Sequence, residues 1–87
     1  MKFEKLDLSK PFYIQWKEKY WKSRQKIEII KQVGDMFLMK FYPTEGYRPE
    51  NPVWSYWDST RKPQTATHSL DWFRNREKEI RQPKELL

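Results

Sequence analysis

The sequence predicts an α+β domain, a three-stranded antiparallel meander flanked by an N-terminal and a C-terminal helix. Three observations predict it. Phe12, Trp16 and Tyr20 recur at helical spacing. Two apolar runs flank Gly34-Asp35, a pair suited to a tight hairpin turn. A last amphipathic stretch opens on capping residues and stops at Pro83. The expected order is helix, strand, strand, strand, helix, as one domain over residues 1–82 with a tail at 83–87.

The first helix is expected over residues 10–23. Ser9 can cap its free N–H groups, and Pro11 is tolerated in a first turn. A strand at Phe12–Trp16 is the rival reading, because Phe, Tyr, Ile and Trp all favour sheets. Gln25–Val33 and Met36–Tyr42 form the hairpin. A two-residue turn sets Val33 opposite Met36, Ile30 opposite Met39 and Glu28 opposite Phe41. A three-residue loop instead sets Ile29 opposite Met39, Ile27 opposite Phe41 and Glu28 opposite Lys40. Cross-strand logic favours the second register, which gathers Ile27, Ile29, Phe37, Met39 and Phe41 on one face.

Pro43-Thr44-Glu45-Gly46 reads as a turn, and Pro49 and Pro52 keep Arg48–Pro52 extended. Val53–Trp57 is the third strand, with Trp54 and Tyr56 on one side and Val53, Ser55 and Trp57 on the other. Asp58–Ser69 is polar around Arg61-Lys62-Pro63 and reads as a loop. Thr67 or Ser69 then caps the final helix, on which Leu70, Phe73 and Ile80 lie near one face and Arg74, Lys78 and Arg81 share another. This element order resembles that of double-stranded-RNA-binding domains in topology. Ser69-Leu70-Asp71-Trp72, however, puts a carboxylate where those domains carry a basic cluster, and the resemblance is taken no further.

Composition bounds what such a domain can do. Leu, Ile, Val and Phe supply only 18 of 87 residues, but five Trp and five Tyr add enough burial area for a small core. A chain this short with no cysteine is expected to hold neither a second domain, nor a disulfide framework, nor a cysteine-based zinc site. Met1–Leu8 alternates charged and apolar residues, unlike a signal peptide, and the longest apolar run is Met36–Met39. The expectation is a soluble cytoplasmic protein without a membrane partner.

The net charge of +6 is uneven. Residues 1–9 sum to zero, 10–31 to +5, 32–60 to −2 and 61–87 to +3. Catalytic chemistry finds little support here. His68 is the only histidine, and Asp71 could meet it on a helix turn, but no third member completes a triad. Glu28 and Asp35 with Lys31 or Lys40 have no specific spacing, and the two glycines form no phosphate-cradling loop. No metal or cofactor is expected.

Binding chemistry is better supplied. Phosphate neutralisation needs several cations on one surface, and single strands add a need for aromatic faces on which bases stack. The candidates are Lys17, Lys22, Arg24 and Lys26 in the first basic block, with Arg61, Lys62 and Arg74 for further phosphates and Trp54 or Trp57 as stacking platform. The expectation is a non-catalytic nucleic-acid-binding protein. The alternative is a protein-interaction module such as an inhibitor, adaptor or accessory subunit, since Trp, Tyr and Arg also dominate protein interfaces.

Overall fold

The fold is organised around a single twelve-residue strand. A computed structural model of the chain describes residues 1–17 and 21–82. Its elements are a 3-10 turn at Phe3–Lys5, β1 (Phe12–Lys17), β2 (Lys22–Val33), β3 (Met36–Phe41), β4 (Glu45–Arg48), β5 (Asn51–Tyr56), β6 (Gln64–Ser69), the short helix α1 (Leu70–Arg74) and β7 (Ile80–Arg81). All seven strands join one antiparallel sheet.

Strand β2 is the common partner. One edge of its first half takes β1, from Phe12↔Ile27 to Lys17↔Lys22. On its opposite edge, β3 covers Ile27–Val33 and β4 covers Lys22–Arg24. The break between β3 and β4 falls at Pro43, which has no N–H to give a ladder, while Tyr42 still donates its N–H to the Lys26 carbonyl at 3.0 Å. Outside these lie β7 on β1, β6 on β3 and β5 on β4.

The β2–β3 hairpin contains both of the registers expected for it. Gly34 takes a φ of +58°, open to glycine without strain, and Val33 faces Met36 across the two-residue turn. A bulge between Ile29 and Lys31 then shifts the pairing to Ile29↔Met39, Glu28↔Lys40 and Ile27↔Phe41. The turn dictates register at the tip and the buried face dictates it at the base, and one extra residue, Ile30, reconciles the two. Ile30 is left 53% exposed.

The core lies on one face of the sheet. Phe12 and Ile14 of β1, Ile27 of β2, Phe37 and Met39 of β3 and Ile80 of β7 point into it, and Leu6 and Phe73 of α1 close it. Phe73 is fully buried, its ring centroid 4.9 Å from Phe3, 4.9 Å from Phe37 and 5.8 Å from Phe12. The 3-10 turn is tied to α1 by an ion pair from Arg74 to Glu4.

These observations correct the expected helix–three strands–helix fold, and with it the topological likeness to double-stranded-RNA-binding domains. The helix expected over 10–23 is strand β1 as far as it is described; Tyr20 lies outside the described residues. An i, i+4 spacing is also an even spacing, so Phe12 and Trp16 share a strand face as readily as a helix face. Ile14, two residues on from Phe12, is buried with it while Tyr13 faces away, which only a strand allows. Ser9 caps no helix; its hydroxyl bonds the Asp7 carboxylate at 2.6 Å.

The turn expected at Pro43–Gly46 gives way to β4 at Glu45, and the second half of the expected Asp58–Ser69 loop is β6, whose polar residues are held by the β3 ladder. The final helix stops at Arg74 because Ile80 is needed in the sheet, where it pairs with Ile14. The chain therefore turns through Asn75–Glu79, and Arg74, Lys78 and Arg81 do not share a helical stripe. Pro83 and the tail lie outside the described residues. Among the described residues, no helix is long and apolar enough to cross a membrane.

Candidate nucleic-acid interface

Alternation along β2 builds the site. Because Ile27 points into the core, Lys22, Arg24 and Lys26 point to the opposite face. Cross-strand partners share a face, so β1 adds Lys17 beside Lys22, Gln15 beside Arg24 and Tyr13 beside Lys26. On the other edge, β4 places Tyr47 beside Lys22 and Glu45 beside Arg24, and β5 places Tyr56 beside Glu45. Lys40 stands opposite Glu28. Both α1 and the 3-10 turn pack on the core side and leave this face open.

Arg24 is its hub. Its guanidinium lies 4.1 Å from the centre of the Trp54 ring and 4.8 Å from that of Tyr13, and it pairs with Glu45 at 3.1 Å. Its Nε is buried without a hydrogen-bond partner. Lys22 sits 5.2 Å over Tyr47, whose ring is 5.5 Å from Trp54. Lys26 and Lys40 flank the Tyr42 ring at 4.9 and 5.0 Å. Lys22, Arg24, Lys26 and Lys40 thus lie over rings, with Lys17 beside Lys22 and Arg81 beside Tyr13 on the flanking strands, facing the carboxylates Glu28 and Glu45.

Two phenols on this face ionise late. Burial pushes the Tyr13 hydroxyl up, with Glu45 and Tyr56 adding to the shift and Arg24 opposing it. The Tyr42 hydroxyl donates a hydrogen bond to the Glu28 carboxylate, which its ionised form would lose, so its pKa is raised too. The stability that Tyr42 contributes is therefore complete below its ordinary value of 10.0 and lost as pH rises through the raised one. An ultraviolet absorbance titration should show Tyr13 and Tyr42 ionising above the ordinary tyrosine value of 10.0. In Glu28→Gln, Tyr42 should return towards its ordinary value; an unchanged titration would show that the bond is absent in solution.

The structure brings Lys17, Lys22, Arg24, Lys26 and Trp54 together on this face. It places the other candidates elsewhere. Trp57 lies on the opposite side of the sheet, its indole N–H donating to the Ser23 hydroxyl at 3.1 Å. Arg61 and Lys62 are exposed in the connection from β5 to β6, and Arg61 pairs with Asp58 at 3.5 Å. Arg74, on α1, is engaged by both Glu4 and Glu77, and those carboxylates hold its pKa still further above the usual arginine range.

Tyr13, Tyr42, Tyr47 and Lys40 belong to the face but were not among the candidates expected from sequence. The signal for Tyr13 was its place between Phe12 and Ile14, once those two are read as alternating. His68 stacks on Trp72 at 5.5 Å and meets the edge of Phe41 at 5.7 Å, a packing role against the core. Among the described residues, no three of the potential metal-ligating side chains gather. No protein-family model, curated protein or solved structure matches the chain.

Proposed function

We propose that the protein binds single-stranded nucleic acid across the open sheet face, without catalysis. The observation that carries this reading is the alternation of β2, which lines up Lys22, Arg24 and Lys26 beside Trp54, Tyr47, Tyr13 and Tyr42. Lysines there can neutralise phosphates while the rings offer platforms to unstacked bases, a combination that suits single strands because a duplex keeps its bases stacked inside. Arg24, held by Glu45 and two rings, stiffens the platform and is the least free of these cations to follow a ligand.

Salt dependence tests the reading. If Lys17, Lys22, Lys26 and Lys40 each neutralise one phosphate, the slope of log K against log salt is about −2.8, and a fourfold rise in salt weakens binding roughly 50-fold. Anisotropy of a labelled single-stranded oligonucleotide measures this directly. Lys22→Ala with Lys26→Ala should weaken binding evenly across sequences and reduce the slope by about 1.4. Binding with an unchanged slope in that variant, or no binding by the parent, would overturn the reading.

A second reading, a protein-interaction module, rests on the tip of the β2–β3 hairpin. Ile30, Val33 and Met36 are 53%, 64% and 45% exposed there, an apolar end on a charged molecule. Its signature is a partner retained through nuclease treatment and moderate salt, and released by Val33→Asp with Met36→Asp.

A further inference from the structure

We propose that the bound strand continues around the β5 edge onto a second stacking platform on the opposite face, formed by Trp57 with Arg48 and Arg61; this rests on the single-strand reading above. The platform is built around Gly46. A Cβ at that position would lie 2.0 Å from Cζ2 of Trp57, so the indole lies against the β4 backbone only because residue 46 has no side chain. The indole N–H donates to the Ser23 hydroxyl at 3.1 Å, and the Trp57 backbone N–H donates to the Thr44 carbonyl at 3.1 Å. Yet the residue is 42% exposed. A surface tryptophan held at backbone, ring nitrogen and ring face has already lost the rotamer freedom that a stacking base would otherwise have to remove.

Its surroundings suit a nucleotide. The Arg48 guanidinium lies 4.9 Å from the ring centre, beside a shallow cleft formed with Asn51, Val53 and Ser55. Arg61 lines a second cleft on Trp57 together with Pro43, Thr44 and its ion-pair partner Asp58. The indole thus stands between two recesses, one edged by Arg48 and the other by Arg61, which a phosphate would have to draw from its exposed pair with Asp58. Trp54 on β5 and Trp57 just beyond its end face opposite sides of the sheet, about 10 Å apart along the chain. Because β5 pairs only with β4 among the described residues, its outer edge is open there between the two faces. A flexible single strand can turn over that edge; a stiff duplex cannot.

Oligonucleotide length tests this. Single strands of about 5 and about 12 nucleotides fall towards the short and long parts of the roughly 4–16 nucleotides that one sheet-face module covers. Trp57→Ala should weaken binding of the longer strand by about 5- to 150-fold, the usual loss of one stacked base, and leave the shorter one unchanged. Arg48→Ala with Arg61→Ala removes only exposed side chains and so keeps the fold; it should lower the salt slope for the longer strand alone by about 1.4. Trp57→Phe should restore part of the lost affinity. Equal binding of the longer strand by the parent and the double arginine variant would overturn the second platform while leaving the first face standing. Failure of the parent to bind either length would overturn both.

Discussion

Phe73→Ala is expected to leave the protein largely unfolded at room temperature. Phe73 is fully buried and its ring meets Phe3, Phe12, Phe37 and Trp72, so its removal empties the point where α1, the 3-10 turn and the sheet converge. Truncating such a phenylalanine costs about 3–5 kcal/mol. The eight apolar residues buried among the described ones support a net stability of similar size. Urea denaturation followed by circular dichroism should show no folded baseline for the variant. A cooperative transition at the parent's midpoint would mean that α1 is peripheral to the core.

Glu45→Ala should loosen the open face at its centre. The side chains of Arg24 and Glu45 are 26% and 17% exposed, so their pair lies between a solvated surface bridge and a buried one. Removing the carboxylate leaves a guanidinium whose Nε is already unpartnered, at an expected cost of about 1–3 kcal/mol. Replacing both residues, as Arg24→Met with Glu45→Leu, should recover most of that loss, because no stranded charge remains. The same pair of changes should weaken oligonucleotide binding, since the arginine no longer rests on Tyr13 and Trp54. If the double variant is no more stable than Glu45→Ala, the penalty does not come from an orphaned charge.

Where a local rule acted alone, the sequence was readable. Gly34 marked the hairpin turn, and the Ile27–Phe41 pairing followed from gathering apolar residues on one face. It became ambiguous where two periods coincide. Phe12 and Trp16 satisfy both helix and strand, and only the fate of Ile14, set by Ile80 arriving from the far end of the chain, separates them. Gln64–Ser69 has no apolar alternation, because its place in the sheet comes from the backbone of β3 rather than from its own side chains.

The interface was legible in the same partial way. Lys22, Arg24 and Lys26 were visible as a basic run, but their convergence with Trp54 needed β4 and β5 to fold back along β2. Arg74 belongs to the same basic count in sequence, yet the structure pairs it with Glu4, seventy positions away, and with Glu77. Charge totals cannot anticipate such neutralisation, because it depends on which acids the tertiary fold brings near.

Strand β2 carries one further consequence. Adjacent residues of it, Lys26 and Ile27, serve the two opposite sides of the molecule, so neither side can open while the other stays intact. A ligand gripping the outer surface should therefore raise the melting temperature of the interior, by mass action through a shared backbone. Amide hydrogens along this strand should exchange only by global opening, and its protection factors would report occupancy of a surface they do not touch.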